Sequence, residues 1–550
     1  MVASVTAREY HERTKHRAAG YARGPETIDW TEPPNPFRTF AGAARFELPL
    51  SADIWRTSFD ALGRFEAPPS ALSLESLGAL FQLTFAISAW KRQGPDQWAL
   101  RCVPSSGNLH PTEAYLVARG TGELGDGLYH YDACEHALEQ RRSDRGLVTS
   151  PCVFVGMSSL HWREAWKYGE RAFRYCQLDL GHALAGLHYA AAVLGWRVRP
   201  LWSLSSDQVA SYLGLDRSED FANVEREEPA LIAWIDTRAT PQGDLGFEPE
   251  RVLGSSTEAS WAGRANRIDP HPMYRWPVID EVALHTRKSS TEPAVPEASA
   301  GAERERSLRG ERLSAPHLSA ADVLRARRSA QRFDARHVLP AAPAVRMLQS
   351  LLAGSPCADS FPVPRLHVAA LVQRVDGLAT GLYALPRSHR GESLMREQFD
   401  ARFAWEPLAA LEPSLFTLAD GVFAGAGRQL CCGQAIASDC NLLFVLLGEF
   451  DDAVEQTPYA YRQLHMEAGL LAHILYLEAQ ACGLAGTGIG CFFDDDWHRF
   501  LGLASSRLQA LYCFSVGRPL LDSRIQTMPP YPQRTGVPVG NELGQRGVTP

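Results

Sequence analysis

At 550 residues with 45% hydrophobic and 21% charged side chains, the chain has the composition of a soluble globular protein and is too long for a single core. A net charge of −8 argues against a nucleic-acid partner, and no run of eighteen apolar residues exists to span a membrane. The N-terminus, with Arg8, Glu9, Glu12 and Arg13, lacks the apolar core of a signal peptide, and eleven scattered cysteines without a C-x-x-C pair are those of a reduced, cytoplasmic protein.

Taken in chain order, apolar runs predict strands at Ala114–Ala118 and Cys152–Gly156. Leu178, Leu180, Ala183, Leu184, Leu187, Ala190, Ala191 and Leu194 then recur at helical spacing, which predicts a broad-faced, central helix from Tyr175 to Trp196, stopped at Gly195. A strand follows at Ala230–Ile235. Ser289 to Pro316 is poor in large apolar residues and reads as a mobile linker. Beyond it come a short helix from Ser319, strands at Leu366–Val372 and Asn441–Leu447, a second long helix through Leu464, Met466, Leu470, Leu471, Ile474, Leu475 and Leu477, and a strand at Leu511–Val516. The tail beyond Pro529 is rich in Pro and Gly and reads as extended over the surface. Long helices with short strands and no regular β-α-β alternation predict an α+β class.

Part of this pattern is written twice. Arg174, Gly181, Leu187, Ala191, Gly195 and Leu213-Gly214-Leu215 recur 288 residues later as Arg462, Gly469, Leu475, Ala479, Gly483 and Leu501-Gly502-Leu503. Gly127-Leu128-Tyr129 is echoed by Gly381-Leu382-Tyr383. The expected organisation is an N-terminal domain over residues 1–270, a flexible linker over 285–318 and a C-terminal domain over 319–550, forming an intramolecular pseudo-dimer.

The two copies carry different chemistry. The first has a polar turn, Pro104-Ser105-Ser106-Gly107-Asn108, whose donors suit a polar ring edge or an anion as well as they suit an ordinary turn. It also has Lys167-Tyr168, two groups that burial can turn into a general base, in a chain with only four lysines. The second copy has Arg327, Arg328 and Ser329, suited to a phosphate or to a solvated basic helix end, and the glycine-rich loop Gly486 to Gly490, with Arg518 and Arg524 adding cations later. Glycines after a helix, without a preceding strand, are not a dinucleotide fingerprint.

Together these residues resemble the nitroreductase superfamily of FMN enzymes, and within it the SagB/ThcOx-type branch that contains azoline oxidases of peptide heterocycle pathways. Pro104 to Asn108, Lys167 to Arg171, Arg174-Tyr175 and Gly181-His182 carry the branch resemblance; Arg327 to Ser329 carry that of the superfamily. The resemblance implies two α+β units, each a sheet flanked by helices, with FMN at their interface. It implies cofactor contacts from Pro104, Ser105, Ser106 and Asn108 on one side and Arg327, Arg328, Ser329, Gly488, Ile489, Gly490 and Arg524 on the other, with Lys167 and Tyr168 catalytic and no metal. The first copy has Arg197 to Trp202 where the glycine loop is expected, and the second has Pro362-Val363-Pro364 where the Ser-Ser turn is expected. One complete site per chain follows, the other being filled by bulky groups such as Trp202. The implied function is dehydrogenation of a heterocycle or peptide-derived substrate, azoline to azole, with hydride transfer to FMN N5, in a monomeric protein that a peptide-modifying cyclase could accompany. An NAD(P)H-dependent nitro- or quinone-type reductase and a non-catalytic flavin-binding partner are the alternatives.

Overall fold

A computed structural model describes residues 5–145, 151–238, 249–253, 258–289, 318–352, 355–358, 360–408 and 415–535. Two antiparallel sheets form the body of the chain. In the first, the strand order is Glu258–Trp261, Ala137–Arg145, Gly127–Asp132, Thr112–Arg119, Cys152–Ser159, Glu228–Asp236 and Arg197–Pro200. In the second it is Glu406–Pro407, Phe416–Asp420, Gly381–Leu385, Leu366–Val372, Leu442–Glu449, Leu508–Gly517 and Ala485–Ile489. The inner strands are buried on both faces, which is why they read as unbroken apolar runs rather than alternating ones. The echoed Gly-Leu-Tyr triplets occupy corresponding strands. In both, the tyrosine hydroxyl donates to the carbonyl four residues earlier, Tyr129 to Gly125 at 2.6 Å and Tyr383 to Ala379 at 2.7 Å.

The predicted central helices run from Ala172 to Val193 and from Ala460 to Ala481, 22 residues each, and are buried almost all round. They cross at their echoed glycines. A Cβ on Gly181 would stand 1.9 Å from the Met466 carbonyl oxygen, and one on Gly469 would stand 2.0 Å from that of Leu178. Leu178 and Met466 are themselves equivalent positions, so the contact is reciprocal in the way an isologous interface is. Only glycine lets the two backbones approach this closely.

The echoed arginines explain their own conservation between copies. Arg174 donates to the Thr14 hydroxyl at 2.9 Å and pairs with Asp494 at 2.8 Å; Arg462 donates to the Thr286 hydroxyl at 2.9 Å and pairs with Glu228 at 2.7 Å. Each buried cation thus bridges from its own central helix to a carboxylate of the opposite half. Each also holds a short helix, Ala7–Arg13 or Pro277–His285, through its terminal threonine.

Three expectations differ at their edges. Of the linker expected over 285–318, residues 290–317 lie outside the described residues, whereas Thr286 and Lys288 are buried. The glycine-rich segment expected as a loop is the edge strand Ala485–Ile489, paired with Leu508–Gly517. Ahead of the tail, Gln526–Met528 pairs with Ile87–Gln93, and Tyr531, only 1% exposed, accepts from Ile87 N and donates to Ala133 O. The chain end therefore anchors the second half to the first; residues 536–550 lie outside the described residues.

Candidate functional site

A cavity of about 1100 Å³ lies between the halves, just above the usual range for small-molecule and cofactor sites. One wall is the turn Pro104 to Asn108 with His110. Gly107, Asn108 and His110 all have positive φ (59°, 62° and 51°), a conformation that costs the two non-glycine residues on the order of 1 kcal/mol each. Hydrogen bonds hold it: Asn108 Nδ2 donates to Ala99 O at 2.9 Å, and Arg163 donates to His110 O at 2.6 Å. The sequence suggested that the serine donors face a ligand. Instead Ser106 donates from its backbone N and its hydroxyl to Asp179 at 3.1 and 3.0 Å, and Ser105 Oγ accepts from His110 N at 2.8 Å. The turn lines the cavity, while its hydroxyls fix its shape.

Asp179 and Glu164 are functional candidates the sequence reading missed. Burial pushes Asp179 up to about 7, against the opposing pull of its serine hydrogen bonds. Burial, and then the nearby Asp179, push Glu164 well above the carboxylate range, opposed by Lys167. Asp179 had a visible signal, a lone acid on the apolar stripe of the central helix.

Lys167 and Tyr168 end the helix His161–Tyr168. Both side chains converge on Gly107: a Cβ there would meet the Tyr168 hydroxyl at 2.6 Å and Lys167 Nζ at 3.1 Å. Tyr168 lines the cavity and stands edge-on to Tyr175, with ring centres 4.7 Å apart. The Lys167 ammonium lies over the rings of Trp30 (5.4 Å) and Tyr168 (5.2 Å), with no carboxylate in an ion pair among the described residues. Burial lowers its pKa, opposed by Glu164, whereas burial and then Glu164 raise that of Tyr168. At neutral pH Tyr168 is therefore a phenol, and Lys167 is the group of the two that is drawn toward its neutral form.

The opposite wall comes from the second half: Arg327, Arg328, Ser329, Gly488, Ile489 and Gly490. Ser319 precedes the helix Ala320–Ala326, and the chain then turns out at Arg327 to bridge Ser329 to Gly486. Tyr476 ties the wall together, bonding the Ser329 hydroxyl at 2.9 Å and accepting from Gly488 N at 3.0 Å. A Cβ on Gly488 would lie 1.8 Å from the Tyr512 hydroxyl, so glycine is required for this packing. Tyr175, His182, Tyr476 and Tyr512 also line the cavity.

Arg327 also joins the walls. Its Nε donates to Cys102 O at 2.7 Å and its Nη2 to Arg101 O at 3.1 Å, while the buried Nη1 has no acceptor among the described residues. Burial lowers the pKa of Arg327 to about 10 and also lowers that of Arg328. Lys91, from the first half, lines the same cavity, and its pKa is lowered by burial and by Arg328. No carboxylate pairs with these three cations among the described residues. Arg524 departs from expectation: it is exposed, forks onto Asp522 at 2.7 Å and is not part of the lining. Asp522, two residues earlier, captures it, and Lys91 supplies the third cation instead. An orphaned guanidinium N–H among uncompensated cations fits an anion of the phosphate class, and a cleft lined by Trp98 and four tyrosines fits a flat ring system.

The equivalent region across the helix crossing is built differently. Trp202, at the position equivalent to Gly490, stacks on Phe361 with ring centres 5.2 Å apart and donates to Ser360 O at 2.8 Å. His188, equivalent to Tyr476, bonds the Ser360 hydroxyl at 2.8 Å. Side chains pair there where the first site has a cleft.

Residues 324–518 match the Nitroreductase family. A nitroreductase-type protein of Methanocaldococcus jannaschii is 23% identical over 138 residues, 23% of this chain and 66% of the relative's length. A crystal structure of a nitroreductase-type protein from Anabaena variabilis superposes with a TM-score of 0.66 at 20% identity, covering 94% of this chain and 99% of that one. Both halves thus have counterparts in a single chain, and the fold is nitroreductase-like, repeated in tandem.

Proposed function

We propose that the chain is an FMN-dependent oxidoreductase that dehydrogenates a heterocyclic, peptide-derived substrate of the azoline type, with one FMN held between its halves as in a pseudo-dimer. The observation that carries this reading is the convergence, on one cavity, of cations without a carboxylate partner among the described residues, aromatic lining and Tyr168, with Lys167 set against the wall residue Gly107 and contributions from both halves. Arg327, Arg328 and Lys91 are suited to hold the phosphate, and the glycine strand and the Pro104–Asn108 turn to flank the ring. Bound FMN supplies the two-electron acceptor.

The chain's own part is proton management. Lys167, drawn toward neutrality and without an ion-pair partner among the described residues, takes the ring proton of the azoline. Tyr168 keeps its proton and donates a hydrogen bond that orients the substrate. Burial holds Glu164, behind the turn, toward its protonated form, which keeps negative charge away from Lys167 that would otherwise stabilise the ammonium. Exposed Leu521, beside Leu520 on the rim, offers an apolar landing for a peptide.

Anaerobic mixing of FMN-loaded protein with an azoline peptide tests the reading. Bleaching of the flavin bands with formation of the azole supports it; bleaching by NAD(P)H with no response to azolines would assign a reductase instead.

A further inference from the structure

Cys491 is the residue after Gly490 and lines the cavity. Its Sγ lies 2.8 Å from that of Cys432, a residue with positive φ (55°) in the turn after the helix Ala424–Leu430. Both thiols are half-buried, and neither is sealed in a core as Cys102, Cys152, Cys176, Cys357, Cys431, Cys440 and Cys513 are. His16 hydrogen-bonds the Cys491 thiol and Arg171 brings positive charge near it, while Gln434 Nε2 donates to the Cys491 carbonyl at 3.0 Å and fixes the two turns together.

We propose that Cys432 and Cys491 form a redox-active dithiol site in the cavity wall, which exchanges with small-molecule disulfides of the glutathione disulfide class. This inference is independent of flavin binding. Cys491 is the nucleophile: its thiolate attacks one sulfur of the disulfide, forms a mixed disulfide and expels a thiolate. The Cys432 sulfur, giving up its proton, then attacks Cys491 Sγ, closes the intramolecular disulfide and releases the second thiol. Two protein thiols are oxidised and one external disulfide is reduced to two thiols, so the electrons balance. Supporting the order of attack, a hydrogen bond from Cys432, then His16 and Arg171, pull Cys491 down to about 5 against its burial, whereas Cys432 is pushed up by Cys491 and by burial. Burial raises Cys102, Cys134 and Cys152 to about 11 or 12, which leaves them unreactive at neutral pH.

The test uses the full chain, reduced, freed of reductant and treated with glutathione disulfide. After an acid quench and alkylation, peptide mapping should show a Cys432–Cys491 cross-link, with two of the eleven thiols lost. C432S should stop at a glutathione adduct on Cys491, and C491S should leave Cys432 alkylatable. A wild-type map with no 432–491 cross-link, together with Cys491 alkylated no faster than the half-buried Cys134 and Cys482, would overturn the proposal without any variant.

Discussion

Replacing Arg328 by Met should separate FMN from riboflavin. The guanidinium lies in the cavity lining with no carboxylate partner among the described residues; its Nη1 donates to the carbonyls of Arg325 (2.7 Å) and Arg327 (2.6 Å) and its Nη2 to Ser88 O (3.3 Å), neutral acceptors that leave its positive charge uncompensated for an anion that enters. A hydrogen bond to a charged group contributes about 1.5–3 kcal/mol, so R328M should weaken FMN binding by roughly 10- to 150-fold. Riboflavin has the same ring and no phosphate, and its affinity should change by less than about threefold, on the order of the RT-scale scatter of such comparisons. Fluorescence titration of the flavin-free chain with both ligands gives the two constants. Equal losses for FMN and riboflavin would show that Arg328 supports the fold of the site rather than the phosphate, and would refute the reasoning.

Other outcomes follow from the same geometry. K167A should retain bound flavin while its turnover falls by about 10²- to 10⁴-fold, the usual contribution of a positioned base; unchanged turnover with an azoline substrate would remove Lys167 from the mechanism. Asp179 titrates near 7 in the folded chain against an ordinary 3.8. The folded chain therefore holds a proton that the unfolded chain releases, and stability should fall as pH rises from about 4 to about 7. D179N keeps an acceptor for Ser106 and should flatten that slope, with melting temperatures at pH 5 and pH 8 moving closer together; an unaltered slope would count against the raised pKa. G181A places a methyl against the Met466 carbonyl. Overpacking costs about 1–3 kcal/mol and helix propensity returns up to about 1, so denaturant unfolding should show a net loss of up to about 2 kcal/mol, with G469A non-additive because both glycines sit at the same helix crossing.

The fold was legible where residues repeat. The 288-residue echo marked both central helices, and the glycines and arginines that recur are those the crossing and its flanking ion pairs require. The apolar runs marked the inner strands because they are buried on both faces. Edge elements were less visible: Ala485–Ile489 contains two glycines and reads as a loop, and its strand character comes from pairing with Leu508–Gly517. In the site, motifs located the walls but not which way their donors point. Ser105 and Ser106 look like ligand donors until Asp179 and His110 N are seen to take them, and that needs contacts between residues 73 and 5 positions apart. Arg524 stands outside the lining because Asp522, two residues earlier, pairs with it, a local feature that composition hides. Lys91 was missed because nothing in its own segment indicates that it meets Arg328, more than two hundred residues away.

The central claim is one composite site per chain, built from complementary halves. The flavin-to-chain ratio of the reconstituted protein, from flavin absorbance against protein concentration, tests it most directly. A ratio of one, unchanged by excess FMN, is predicted; a ratio of two would mean that the region around Trp202 and Phe361 also binds flavin, and would contradict the account.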